Sequence, residues 1–347
     1  MPVNLSEVAS GCLEVEEETI NTATGTTLLG GTFHDPAVRR LFSRRKHTTR
    51  LRVYTLDGSV FDTGVCTLHM NGRLVAETAY LVDEGDWTEP DERVDKMLRA
   101  DGTHRAIIAF NRNWRDYYHW TTQVLPAIDH AIRRCDNARP LCILPQISRA
   151  QEASLRLLGH VEARYVSVAP HQRVLIDTCQ YSELLNGTAA FGVSFRVRDT
   201  FRRLEQRTGN DASAGELIYV TQSGHHARRM CNEDELIRVL HRFGFQTVVP
   251  DRLSPEEQIA IFRRARVVLG LHGVGLTNIG FCHPGTVVYE LVPRSRPNAC
   301  MCMIAQSCSL IYAADIVDDE TQGAEGHWPV SVSSVEARLE ELLALVK

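Results

Sequence analysis

The apolar positions along this chain change period as it proceeds. Over residues 49–82 they alternate with polar ones in the runs L-R-V-Y-T-L, G-V-C-T-L-H-M and R-L-V-A-E-T-A-Y-L-V. The dipeptides Asp57-Gly58 and Asn71-Gly72 lie at or near the joins and favour two-residue hairpins. This predicts an antiparallel β meander. After a polar stretch at 83–90, short wholly apolar runs alternate with helical periodicities, the signature of strands buried on both faces. Residues 105–110, 140–144 and 173–176 read as such strands. Helices are expected over 119–134, with Pro126 in a first turn or at a kink, over 151–158 and over 194–207. The first fifty residues carry an acidic patch at Glu14 and Glu16 to Glu18 and specify no firm element.

The pattern is cleaner after T-G-N-D-A-S-A-G at 208–215, which reads as a linker. A strand is expected over 216–221. Asn232 with Glu235 is a candidate capping box, and Gly244 stands where a helix-ending glycine belongs. A strand over 245–249 comes next, then the helix start Ser254-Pro255-Glu256-Glu257. Residues 267–293 read V-V-L-G-L-H-G-V-G-L-T-N-I-G-F-C-H-P-G-T-V-V-Y-E-L-V-P: strand, glycine turn, helix start over 276–281, and a strand carrying Glu290. A final amphipathic helix is expected near the C-terminus. The alternation implies an α/β fold with a parallel, doubly wound sheet.

Composition sets limits. With 347 residues, 44% hydrophobic and 23% charged, the chain has room for two globular domains. The M-P-V-N-L-S-E-V-A-S start has neither the basic nor the apolar region of a signal peptide, giving a cytoplasmic expectation. The ten cysteines are scattered and read as reduced thiols. Cys300, Cys302 and Cys308 interleave with Met301, Met303 and Ile304 like a buried helix, and no second pair stands at zinc-site spacing, so no metal is expected. A net charge of −5 argues against a general nucleic-acid binder. The basic run at 39–52 is compatible with an anionic membrane surface, a phosphate-bearing acceptor or a solvated loop.

Three clusters stand at the C-terminal ends of expected strands, where open α/β sheets place ligands. Asp116-Tyr117-Tyr118-His119-Trp120 gathers an acid, an imidazole and three rings: aromatic faces suit sugars and the acid or imidazole suits proton abstraction, or else the cluster is a packed helix start. T-Q-S-G-H-H-A-R-R at 221–229 is either a diphosphate cradle built on Arg228 and Arg229 or a solvated loop. His272 to Asn278 with Glu290 resembles half of a nucleotide site, the carboxylate suiting ribose hydroxyls, or is a tight βα turn with a locally paired acid. It is not the dinucleotide fingerprint, since Asn278 replaces the third glycine; a dehydrogenase of Rossmann type is disfavoured on that ground.

The segments I-Y-V-T-Q-S-G-H-H-A-R-R-M-C-N-E-D-E-L, L-S-P-E-E-Q-I-A-I-F-R-R-A, L-G-L-H-G-V-G-L-T-N and H-P-G-T-V-V-Y-E-L-V-P succeed one another in order, after Y-Y-H-W-T-T-Q-V-L-P. Together they resemble glycosyltransferase family 61. The resemblance implies GT-B architecture: two Rossmann-like domains facing across a cleft, here with an N-terminal β meander and a C-terminal helix. The domains implied are 1–207, receiving the acceptor, and 216–330, binding the donor, joined by the 208–215 linker and followed by a helix over 331–347. It implies metal-independent, inverting transfer from a nucleotide sugar, UDP foremost, to a saccharide or lipid-linked glycan, as in polysaccharide assembly. By the same likeness Thr221, Arg228, Arg229, His272, Gly273, Val274, Gly275, Leu276, Thr277, Asn278 and Glu290 would bind the donor. His119, with Asp116 second, would be the base, and Tyr117, Tyr118 and Trp120 would face the acceptor. Three positions depart from the family's common pattern: Gln222 for Arg, Asp116 near a usual Asn, and Gln123 for Glu. Those departures leave open a nucleotide-sugar-binding protein without transferase activity.

Overall fold

A computed structural model describes residues 1–15, 26–43, 51–82, 94–98, 106–134, 141–160, 164–186, 195–208, 216–221, 230–319 and 328–346. The chain divides into two compact units, Met1–Ile20 with Thr48–Thr200, and Asn21–His47 with Phe201–Lys347. The mixed α/β class expected from the pattern is present. Residues 21–47 group with the second unit rather than the first, which is a departure from the expected domain limits.

In the first unit the described strands form one mixed sheet. Its order is Arg73–Leu74, Thr67–Met70, Leu51–Asp62, Arg173–Ser182, Ala106–Ile108, Leu141–Leu144, Arg164–Ser167, with Gly11–Val15 and Lys96–Leu98 joining beside the path. The meander side pairs antiparallel and the side beyond Arg173–Ser182 pairs parallel. Asn71-Gly72 makes a tight turn with both residues at positive φ. Asp57-Gly58 does not: Gly58, at φ +69°, lies inside the long strand Leu51–Asp62, which stays paired on either side of it. The chain turns instead after Asp62, whose carboxylate accepts from the amide of Gly64 at 2.8 Å.

Pro126 explains the irregular helix nearby. Lacking an N–H, it cannot bond four residues back, and the chain passes through a π-turn at Trp120–Val124 before regular helix resumes over Leu125–Arg133. Leu125 N–H bonds Trp120 O, five residues back.

The second unit holds a parallel sheet in the order Phe245–Val248, Glu216–Val220, Ala265–Leu271, Val287–Pro293, Ile311–Val317, Thr26–Leu29. Counted along the chain from Glu216, the first five run 2-1-3-4-5. Glu233–Arg242 packs on Val332–Leu343, with Leu236, Leu240, Val335 and Leu339 in one core with Leu269 and Tyr289. Pro255–Arg264 and Cys300–Ser307 pack against the segment Val274–Phe281. Ser254 caps its helix through a full capping box with Glu257. Asn232 does not cap: its side chain is spent in two bonds with Val330 at 2.8 and 2.9 Å.

The sixth strand, Thr26–Leu29, is anchored through the residues next to it. At Gly30 a Cβ would lie 1.8 Å from an Asp315 carboxylate oxygen, so only glycine fits. Thr32 Oγ1 donates to that same carboxylate at 2.8 Å, and Arg338 donates to Leu28 O at 3.3 Å. Among the described residues no helix is long and apolar enough to cross a membrane.

Candidate active site

The strand order 2-1-3-4-5 reverses direction between Glu216–Val220 and Ala265–Leu271, neighbours in register with Val220 opposite Gly270. At such a reversal the loops leaving the two strands diverge to opposite faces and open a crevice at the carboxyl ends of the strands. The loops here begin at Thr221 and His272. The second unit thus places Thr221 and His272, where its two expected donor segments begin, at the position where the topology opens a crevice.

Within the loop, access is uneven. His272, Gly273, Val274 and Gly275 are partly exposed, whereas Leu276, Thr277 and Asn278 are fully buried. The segment Val274–Phe281 is a 3₁₀ helix rather than an α-helix. Gly273 is extended, at φ 173°, which any residue can adopt. The glycine requirement falls on Gly275, where a Cβ would crowd Val220 at 3.1 Å and Pro250 at 3.2 Å. Asn278 braces the turn, donating to Gln258 Oε1 at 2.8 Å and Gly275 O at 3.2 Å. The solvent-accessible part of the loop is therefore 272–275, and Leu276, Thr277 and Asn278 pack beneath it. Thr221 is 5% exposed and its hydroxyl donates to Glu233 at 2.6 Å.

Glu290 lies on Val287–Pro293, opposite Gly270, and has no exposed surface. His272 Nδ1 pairs with its Oε1, and the Tyr312 hydroxyl donates to its Oε2. Burial, and then the charge of Glu290, raise the Tyr312 hydroxyl far above the usual tyrosine range, so it remains a donor. With both oxygens engaged and no exposed surface, the Glu290 carboxylate is not open to a ribose hydroxyl, and the exposed member of the pair is His272. His272 keeps 13% of its side chain exposed, and its peptide N–H is fixed to Leu291 O at 2.9 Å.

In the first unit, Asp116 ends the loop after Ala106–Ile108 and caps the next helix by accepting from His119 N at 3.2 Å. Its carboxylate also receives His119 Nδ1 at 2.9 Å. Burial works to raise the Asp116 pKa, but the hydrogen bond and charge of His119, with help from backbone amides, outweigh it and leave the acid below the usual range. His119 Nε2 stands 3.3 Å from the Tyr80 hydroxyl. That oxygen accepts from Gln123 Nε2 at 3.4 Å; Gln123 Oε1 accepts from Asn111 Nδ2, which also donates to Leu185 O at 3.0 Å. The donors run one way along this chain. A carboxylate can only accept, so Nδ1 carries the hydrogen toward Asp116, and in the neutral imidazole Nε2 presents its lone pair.

Tyr118 packs edge-on to His119 with ring centroids 5.2 Å apart, and Tyr117 is partly buried. Trp120 departs from its acceptor-side expectation: it is 1% exposed and its indole N–H donates to Ser154 at 3.0 Å, so its ring is core. Tyr80, Asn111 and Tyr312 carried no motif that would have singled them out. Arg228, Arg229 and Gln222 lie outside the described residues. Among the described residues no three His, Cys, Asp or Glu side chains gather as metal ligands.

A parallel sheet with a strand-order reversal, and a separate unit presenting a carboxylate-held imidazole, define the class: a mixed α/β protein of two compact units. Residues 117–289 match the model of the family Glycosyltransferase 61. The chain is 35% identical over 127 residues to the EGF domain-specific O-linked N-acetylglucosamine transferase of Drosophila melanogaster, covering 36% of this chain and 23% of that protein. It is 30% identical over 94 residues to the xylan glycosyltransferase MUCI21 of Arabidopsis thaliana, covering 26% of this chain and 18% of that one. With the β-1,2-xylosyltransferase of the same plant it shares 23% identity over 209 residues, 50% of this chain and 39% of the relative. The chain thus matches well under half the length of each.

Proposed function

We propose that this protein is a glycosyltransferase of GT-B type that moves a sugar from a nucleotide-diphosphate sugar, most readily a UDP-sugar, to a hydroxyl of a glycan or lipid-linked saccharide. The observation that carries the reading is the strand-order reversal of the second unit, which brings Thr221 and the 272–275 loop to one crevice within the family-matched stretch. Donor binding is assigned there, with exposed loop amides and Arg228 and Arg229 taking the diphosphate. Preorganised donors aimed at the leaving oxygen are the main electrostatic means of stabilising its developing charge.

His119 is the base. An acceptor hydroxyl replaces Tyr80 at Nε2, a swap eased by the 3.3 Å separation. The acceptor oxygen attacks the anomeric carbon, its proton passes to Nε2, and the carbon–phosphate oxygen bond breaks with its electrons leaving on the diphosphate. Attack opposite the leaving group inverts the anomeric centre. Asp116 steadies the imidazolium that forms. The charge work falls to arginines and amides, so transfer needs no divalent cation.

The test is a panel of UDP-sugars assayed for transfer or slow hydrolysis, with and without chelator. Turnover of at least one donor, unchanged by EDTA, is expected; no turnover of any, or its loss with EDTA, contradicts the reading.

A further inference from the structure

Three aromatic rings link the N-terminal part of the chain to the donor loop. The segment 26–43 enters the second unit as the edge strand Thr26–Leu29 and the helix Pro36–Ser43. Phe42, on that helix, has no exposed surface. Its ring lies edge-on to Phe33, centroids 5.1 Å apart, and parallel to Tyr312, 6.3 Å apart and tilted by 17°. Phe42 O also accepts from Cys302 Sγ at 3.6 Å, tying the helix to Cys300–Ser307. Tyr312 is the residue whose hydroxyl holds Glu290, and Glu290 holds His272. Every group between Phe42 and His272 is fully buried, and close-packed interiors pass a displacement on rather than absorbing it.

We infer that residues 26–43 are a positioning element of the donor site, acting on His272 through Phe42, Tyr312 and Glu290. The inference rests on the assignment of the donor to the second unit. A phenyl ring fixes the plane of Tyr312, that plane aims the hydroxyl at Oε2, and the carboxylate so held leaves Oε1 for the imidazole. His272 then presents one orientation and one tautomer to the ligand. The catalytic groups are unchanged by this; what the segment sets is how well the loop is organised before donor arrives. A stretch with no chemistry of its own is thereby part of the site.

The experiment uses the full chain in four forms: wild type, Phe42→Ala, Phe42→Leu, and Leu339→Ala, which deletes an equally buried side chain from the core around Val332–Leu343. Two readouts are taken where all are folded: the imidazole ¹⁵N resonances of His272, assigned with His272→Gln, and UDP affinity by calorimetry. Phe42→Ala is expected to shift the His272 signals and weaken UDP about tenfold, the scale of one mispositioned buried hydrogen bond. Phe42→Leu shifts them less, and Leu339→Ala leaves both close to wild type. Should Phe42→Ala fail to fold, Tyr312→Phe, which removes only the hydroxyl, must move both readouts the same way. Unmoved His272 signals in Phe42→Ala, or equal movement in Leu339→Ala, overturn the inference. Shifted His272 signals with no UDP binding by any form support the relay and overturn the donor assignment instead.

Discussion

The two units each hold a histidine whose Nδ1 meets a carboxylate, with a tyrosine hydroxyl nearby, yet the two constellations are built for opposite ends. At His119 the carboxylate is local, three residues earlier, with 38% of its side chain exposed, and the tyrosine sits on the imidazole at a loose 3.3 Å. At His272 the carboxylate comes from the adjoining strand, has no exposed surface, and the tyrosine sits on the carboxylate. The first leaves Nε2 with a replaceable partner and a solvated charge behind it, which suits taking up and releasing a proton. The second buries its charge among fixed dipoles, which suits holding one geometry. Chemistry of the groups is shared; exposure and the source of the carboxylate separate the two pairs.

The largest effect is expected where the comparison calls for reactivity. His119→Ala should lower kcat about 10³-fold, in the range of a lost general base, while UDP affinity stays as it was. A fall in UDP affinity with kcat preserved would exchange the two roles. Next is Glu290→Ala, which strips both His272 and Tyr312 of a buried partner and should cost about 3 kcal/mol in chemical denaturation. A cost below about 1 kcal/mol would mean that the buried pair does not hold the loop.

His130 sharpens the contrast because it has no carboxylate on its ring. It is 2% exposed, and neither ring nitrogen has a hydrogen-bond partner among the described residues. The neighbouring Asp129 accepts instead from His160 at 2.8 Å and pairs with Arg133 at 2.9 Å. Burial, then Arg196, Arg134 and Arg133, lower the His130 pKa from 6.5 to about 3. The unfolded chain therefore binds a proton at this site between those values and the native protein does not, so stability is present above pH 6.5 and is lost as pH falls below it. His130→Leu should remove that dependence, gaining about 2 kcal/mol over wild type at about pH 5 relative to about pH 7. Parallel stability–pH curves for the two proteins would contradict it.

The smallest effect is expected at Asp116. Its pKa is lowered, so the carboxylate is present at and above neutrality and is lost only as pH drops through its depressed value. Asp116→Asn should reduce kcat about tenfold near neutral pH, with donor KM unchanged. An unaltered kcat would make the acid a helix cap alone.

Legibility in the sequence tracked distance along the chain. The Ser254 helix start, the Gly244 helix end and the Asn71-Gly72 turn are decided within four residues, and the pattern showed them. Asp57-Gly58 has the same local chemistry as Asn71-Gly72, but two flanking strands keep Leu51–Asp62 extended through it, and propensity yields to pairing. Residues 26–43 carried no signal because their partners are remote: Thr32 meets Asp315 across 283 positions. The acid on Val287–Pro293 was visible, but its partners were not: Tyr312 comes from the neighbouring strand and His272 from the loop after Ala265–Leu271. Trp120 reads as a sugar platform by residue type, and only the Ser154 contact shows that its ring faces inward.

Central to this reading is the division of donor and acceptor chemistry between the two histidines. Calorimetry with UDP on His272→Ala and His119→Ala, beside transfer assays of both, tests this most directly. The prediction is that His272→Ala loses most UDP affinity, whereas His119→Ala binds UDP as wild type does and no longer transfers. UDP binding that survives in His272→Ala and fails in His119→Ala would contradict it.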